Sequence, residues 1–98
     1  MSRSRRVKFE VLSPLKQYVE DSKSIEAEGS TVREALDNLT MRFPKLGAQI
    51  FSAESGTVRD FVTIFLNGED IRNLSGVDSK VNPNDKIIIM PAIAGGSA

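Results

Sequence analysis

Apolar and polar positions alternate at the start of the chain. Val7, Phe9 and Val11 stand between Lys8, Glu10 and Leu12, the period of two expected when one face of a strand meets a core. The pattern predicts a strand over Arg5 to Leu12. Ser13-Pro14 stops it, because proline lacks the amide donor that a ladder needs. Ser24 to Glu28, with Ile25 and Ala27 on one side, predicts a second strand, and the two form a hairpin with a long, irregular connection.

The period changes after Gly29-Ser30. Thr31-Val32-Arg33-Glu34 fits the capping-box pattern, in which the threonine hydroxyl and the glutamate each satisfy a free amide at a helix start. Val32, Ala35, Leu36, Leu39 and Phe43 then fall on one helical stripe, with Arg33, Asp37, Asn38 and Arg42 off it. Pro44 restricts Phe43 enough to end the run, so an amphipathic helix of about three turns is predicted. Lys45 to Asp60 carries weaker signals: Leu46, Ile50 and Phe51 suit a short helical turn, and Ser52 to Thr57, with Gly56, an exposed loop.

Phe61 to Leu66 is a β-prone apolar run, and Asn67-Gly68 after it is a strong signal for a two-residue hairpin turn, since both residues accept positive φ. Glu69 to Arg72 is predicted to fold back as a short strand. Ser75 to Pro83 reads as a winding connection, and Asn82-Pro83-Asn84-Asp85 as a turn before a last strand, Lys86 to Met90. Ile87, Ile88, Ile89 and Met90 are apolar on both faces, as in a central strand.

Two hairpins flanking one helix give an α+β arrangement, a single sheet with the helix across one face and the other face open. Val7, Phe9, Val11, Ile87 and Ile89 suffice for the helix side. Leu12, Ile88, Met90 and Phe65 then fall on the far side, where an uncovered apolar patch marks a partner site. The alternative is that Lys45 to Asp60 folds over these residues and buries them.

Composition narrows the chemistry. The 98 residues hold no cysteine and no histidine, which removes thiol nucleophiles, disulfides, and the commonest metal ligand and general base. Glu69 with Asp70, and Asp85 with Lys86, are the acid–base pairs that remain, and both sit where turns need polar residues for local reasons. Thirteen basic residues balance thirteen acidic ones, so no net field draws nucleic acid, and Arg3, Arg5 and Arg6 read as a solvated terminus. The apolar run at Ile87 to Pro91 is far short of the ~20 residues a membrane span needs. With no signal peptide at the start, these features predict a cytoplasmic, non-enzymatic protein.

Three segments in order carry a resemblance: Ser30 to Glu34, the hairpin Val62 to Arg72, and the ending Asn84 to Gly96, which closes on Pro91-Ala92-Ile93-Ala94-Gly95-Gly96. Together they resemble the MoaD/ThiS sulfur carriers across nearly the whole chain. The resemblance implies the β-grasp fold of ubiquitin, a mixed sheet of about four to five strands with one main helix on one face. It divides the chain into one domain over residues 1–94 and a flexible tail over 95–98, and implies a monomer by itself.

Such carriers bind no cofactor of their own. The resemblance implies that an activating adenylyltransferase, similar to ubiquitin-activating enzymes, uses ATP and magnesium to adenylate the carboxylate of Gly96, after which sulfur is delivered to give a thiocarboxylate. Gly95 is the slim neighbour, and Ile93 and Ala94 belong to the extended lead that the partner reads. Glycine suits this because, without Cβ, the tail is thin and leaves the carbonyl open to attack. Phe65, Ile88 and Met90 fall where ubiquitin-like proteins carry their contact patch. Gly96 is followed by Ser97-Ala98, either a natural extension that a JAMM-type protease cuts away at the Gly96–Ser97 bond or residues left from cloning.

Three fates share this tail. The protein resembles the carrier CysO and passes sulfur to a cysteine synthase; or it is MoaD, the small subunit of molybdopterin synthase; or it resembles the small archaeal modifiers and joins Gly96 to lysines of target proteins. The nucleophile that meets the acyl-adenylate separates them, sulfur for the carriers and a lysine amine for the modifier. An interaction module with an inert tail, binding only through the open face, is the remaining reading.

Overall fold

The opening alternation builds a strand, β1 (Arg6–Val11), whose Val7, Phe9 and Val11 are buried. The structure, a computed structural model, describes residues 6–13, 15–19 and 25–91. β2 (Ile25–Glu28) runs antiparallel to β1, with Val7 opposite Ala27 and Phe9 opposite Ile25. β3 (Val62–Leu66) and β4 (Glu69–Asp70) form the second hairpin, and β5 (Lys86–Pro91) closes the chain's last ladder. β5 lies between β1, parallel to it, and β3, antiparallel to it, so the sheet is mixed in the order β2-β1-β5-β3-β4. The strand that is apolar on both faces is therefore the central one.

The helix α1 (Val32–Arg42) buries Val32, Ala35, Leu36 and Leu39 fully in the core that Val7, Phe9, Ile64, Ile87 and Ile89 of the sheet share, and β2 is the strand it lies nearest. Its start carries the expected cap. The Glu34 amide donates to Thr31 Oγ1 at 3.1 Å, while Glu34 Oε1 accepts from the Ser30 amide at 2.6 Å, one residue earlier than in the usual reciprocal box. Phe43 ends α1, with its amide still bonded to the Leu39 carbonyl. Pro44 then opens a second helix, α2 (Pro44–Ile50), at the one helical position where a missing N–H costs nothing.

Three expectations are corrected by local chemistry. The weak stretch after Pro44 holds a full two-turn helix, because Leu46 and Ile50, both fully buried, lie one turn apart against α1 and the 3-10 turn Leu15–Val19. The strand expected from Phe61 starts one residue later, where a turn bonds the Val62 amide to the Arg59 carbonyl. The strand expected over Glu69 to Arg72 stops at Asp70. There the Asp70 carboxylate accepts the Arg72 amide at 2.9 Å and caps a 3-10 turn, Ile71–Asn73, that buries Ile71.

The Asn67-Gly68 turn has positive φ at both residues, 52° and 89°. Asn67 also ties the hairpin to β5, its amide donating to the Lys86 carbonyl and its side-chain oxygen accepting the Lys86 amide. At the opposite edge, α1 covers the outer side of β2: Asn38 Nδ2 donates to the Glu28 carbonyl at 2.6 Å and Arg42 to the Glu26 carbonyl at 2.7 Å. A free edge is blunted in this way against unwanted strand pairing.

Candidate functional site

The last strand delivers the tail. β5 pairs along its whole length, down to Pro91 opposite Val62, so the backbone is held to the sheet until the residue before Ala92. Ile93, Ala94, Gly95, Gly96 and Ser97 lie outside the described residues.

The open face carries the other expected residues, and the register brings them together. Ile88 lies directly between Phe65 on β3 and Glu10 on β1, and Met90 lies opposite Thr63. Leu12 follows Val11, which pairs with Ile89, and its amide donates to the Ile89 carbonyl at 3.0 Å. Leu12, Phe65 and Ile88 are half-buried and Met90 is 36% exposed, so none of the four is sealed. The segment 45–60 does not cover them: its Leu46 and Ile50 belong to the helix-side core. Lys86 and Glu10 border the patch with a 2.9 Å ion pair, exposed and so of little energetic weight, but a polar boundary for the apolar centre.

Phe61, outside the four patch residues expected from alternation, is 49% exposed at the end of the sheet where β5 finishes. Alternation alone could have flagged it, as an apolar residue one step ahead of the strand and out of phase with the buried Val62, Ile64 and Leu66.

The acid–base pairs resolve into turn chemistry. Asp85 Oδ2 accepts the Asn82 amide at 2.8 Å. Asp70 takes the Arg72 guanidinium as well as its amide, and these bonds, the side-chain one foremost, hold the Asp70 carboxyl below the usual aspartate value of 3.8 and raise Arg72 in turn. Because the folded value is depressed, whatever stability the pair adds is present above the unfolded value and lost as pH falls through the folded one. An NMR titration should give Asp70 a midpoint lower than an ordinary aspartate; a midpoint at or above it would mean the cap does not form in solution. Among the described residues no group of three or more acidic side chains is placed to hold a metal ion, and no helix is long and apolar enough to cross a membrane.

A five-stranded mixed sheet with its first and last strands parallel and a helix laid across one face defines a ubiquitin-like protein of the β-grasp class. Within that class the chain belongs to the ThiS family, which it matches over residues 9–96. It is 29% identical over 83 residues to the sulfur carrier protein CysO of Mycobacterium tuberculosis (strain H37Rv), covering 84% of this chain and 89% of that one. Among solved structures it is similar to small archaeal modifier protein 1 of Methanosarcina acetivorans, with TM-score 0.86, 25% identity and coverage of 97% and 100%. A chain of the Amycolatopsis orientalis BexX/CysO complex gives TM-score 0.81 at 31% identity, with coverage of 92% and 99%. The curated relative is a sulfur carrier protein and the first of these structures a modifier protein.

Proposed function

We propose that this chain is a sulfur carrier whose Gly96, freed from Ser97-Ala98 by cleavage, is adenylated and converted to a thiocarboxylate. The observation that carries the reading is the family match itself, which runs through both glycines and ends on Gly96. Whatever follows Ala98, Gly96 is in peptide linkage with Ser97, so its carboxylate exists only after that bond is hydrolysed. A JAMM-type metalloprotease is the proposed agent.

The chemistry then belongs to the partner. A Gly96 carboxylate oxygen attacks the α-phosphorus of ATP, held with magnesium by the activating enzyme, and pyrophosphate leaves. A sulfur nucleophile attacks the carbonyl carbon and AMP leaves; hydrosulfide gives the thiocarboxylate directly, while a persulfide gives an acyl disulfide that a thiol cleaves. The carrier contributes a substituent-free end to the tail and a face for docking. Leu12, Phe65, Ile88 and Met90 supply that face, and Ile93 and Ala94 line the lead into the enzyme. Similarity to CysO favours a synthase that forms cysteine as the sulfur acceptor over molybdopterin synthase.

A second reading has its own support. The likeness to small archaeal modifier protein 1 covers nearly the whole chain and favours conjugation of Gly96 to lysines of other proteins. Mass spectrometry of the protein purified from its native host separates the two. A species ending at Gly96 with one oxygen replaced by sulfur is expected; lysine-linked remnants on other proteins would favour the modifier, and a pool that keeps Ser97 throughout would sink both.

A further inference from the structure

Phe61 combines features that do not ordinarily occur together. It is a large apolar side chain, half exposed, and the backbone beneath it is fixed. The Arg59 amide donates to the Ile50 carbonyl at 2.8 Å, Arg59 Nη2 donates to the Ala48 carbonyl at 3.2 Å, and the Val62 amide closes the turn onto the Arg59 carbonyl at 3.0 Å. From that anchored position the Arg59 guanidinium stands 5.8 Å from the centre of the Phe61 ring, within cation–π range. The turn thus fixes the backbone, a cation tied to α2 lies over the ring, and the ring is presented to solvent.

Its location decides what meets it. Val62 pairs with Pro91, so Phe61 stands beside the point at which the chain passes into the tail. From Pro91 to Gly96 there are five residues, and a fully extended chain of that length reaches at most roughly 17 Å. Any enzyme that takes the Gly96 carboxylate into an enclosed nucleotide site must therefore bring the walls of its channel to within that distance of Pro91. The rim of the channel then lies over the end of the sheet on which Phe61 stands. A rigid, pre-positioned aromatic at the centre of such a contact is the kind of residue that carries binding energy, because little rotamer freedom is lost when it is covered.

We propose that Phe61, supported by Arg59, is a docking anchor for the activating enzyme, seated in an apolar socket at the mouth of the channel that receives the tail. The socket carries a carboxylate on its rim, complementary to the Arg59 guanidinium above the ring. The anchor acts on association with the enzyme and takes no part in the bond-making step. This inference rests on the carrier reading, since it supposes that an enzyme acts at Gly96.

The test uses the chain ending at Gly96 with the adenylating enzyme of the same organism, followed by ATP–pyrophosphate exchange. Phe61→Ala should raise KM for the carrier about tenfold and leave kcat unchanged, while Phe61→Tyr stays near the parent. Leu74→Ala, which trims a comparably exposed side chain elsewhere, should change neither constant. Thermal melting of each variant reports the fold separately. If the parent is adenylated and Phe61→Ala matches it within twofold in KM, the anchor is refuted while the carrier reading stands. If the parent itself is not adenylated, the carrier reading fails and takes this inference with it.

Discussion

In a chain ending at residue 96, replacing Gly96 with isoleucine is expected to lower adenylation by about a hundredfold or more while leaving the melting temperature unchanged. The two halves of the prediction come from different parts of the molecule. Among the described residues, the buried apolar side chains that form the core lie between Val7 and Ile89 and the last ladder ends at Pro91, so the fold is expected not to depend on residue 96. Reactivity behaves oppositely. The carboxylate must reach the α-phosphorus in line, and a branched Cβ on the reacting residue both widens the tail and crowds the carbonyl carbon that sulfur later attacks. Misplacing a reacting group by about 1 Å can alone account for a loss of this size. Exchange activity near the parent's would refute the requirement for glycine, and a lost activity accompanied by a lower melting temperature would move the explanation to the fold.

Much of the fold was readable where side chains report a single local rule. Period two over Val7 to Val11 and the paired threonine and glutamate at Thr31 and Glu34 state their structures directly, and Asn67-Gly68 permits only a narrow set of turns. Legibility failed where two local rules compete. Pro44 ends one helix and also opens the next, and sequence shows the ending more plainly than the opening. Asp70 belongs to a strand by register, yet its carboxylate captures the Arg72 amide and turns the chain out of the ladder.

For the site, alternation was enough to place Ile88, Met90, Phe65 and Leu12 together, because register follows from parity once the strand order is known. Alternation places Phe61 out of phase with the buried strand residues, but its support by α2, through the Arg59 bonds to Ala48 and Ile50, is not visible in the sequence. Contacts between a loop and a helix nine and eleven residues away leave no periodic trace.

Replacing Gly29 with alanine should destabilise the protein by about 3 kcal/mol and lower its melting temperature by roughly 15 °C. Gly29 follows β2 at the place where the sheet comes closest to the first turn of α1. A Cβ there would overlap the Ala35 amide nitrogen and lie 2.7 Å from Ala35 Cα and 2.9 Å from Ala35 Cβ. The obstacle is backbone, so no rotamer change relieves it and the helix must move. Moving it disturbs the fully buried Val32 and Ala35, together with the bonds from the Val32 amide to the Ser79 carbonyl and from the Val81 amide to the Ser30 carbonyl, at 3.0 Å each.

Gly56→Ala provides the contrast. Nothing lies within 4 Å of a Cβ at Gly56, but its φ of +72° leaves alanine strained by about 1 kcal/mol. The two glycines thus separate close approach from backbone conformation, and Gly29 should be the more costly by a wide margin. Equal melting temperatures for the two variants would show that the β2–α1 contact can relax in solution. Cooled until it is folded, Gly29→Ala should regain adenylation when its chain ends at Gly96, because the tail is untouched; Gly96→Ile should not regain it at any temperature.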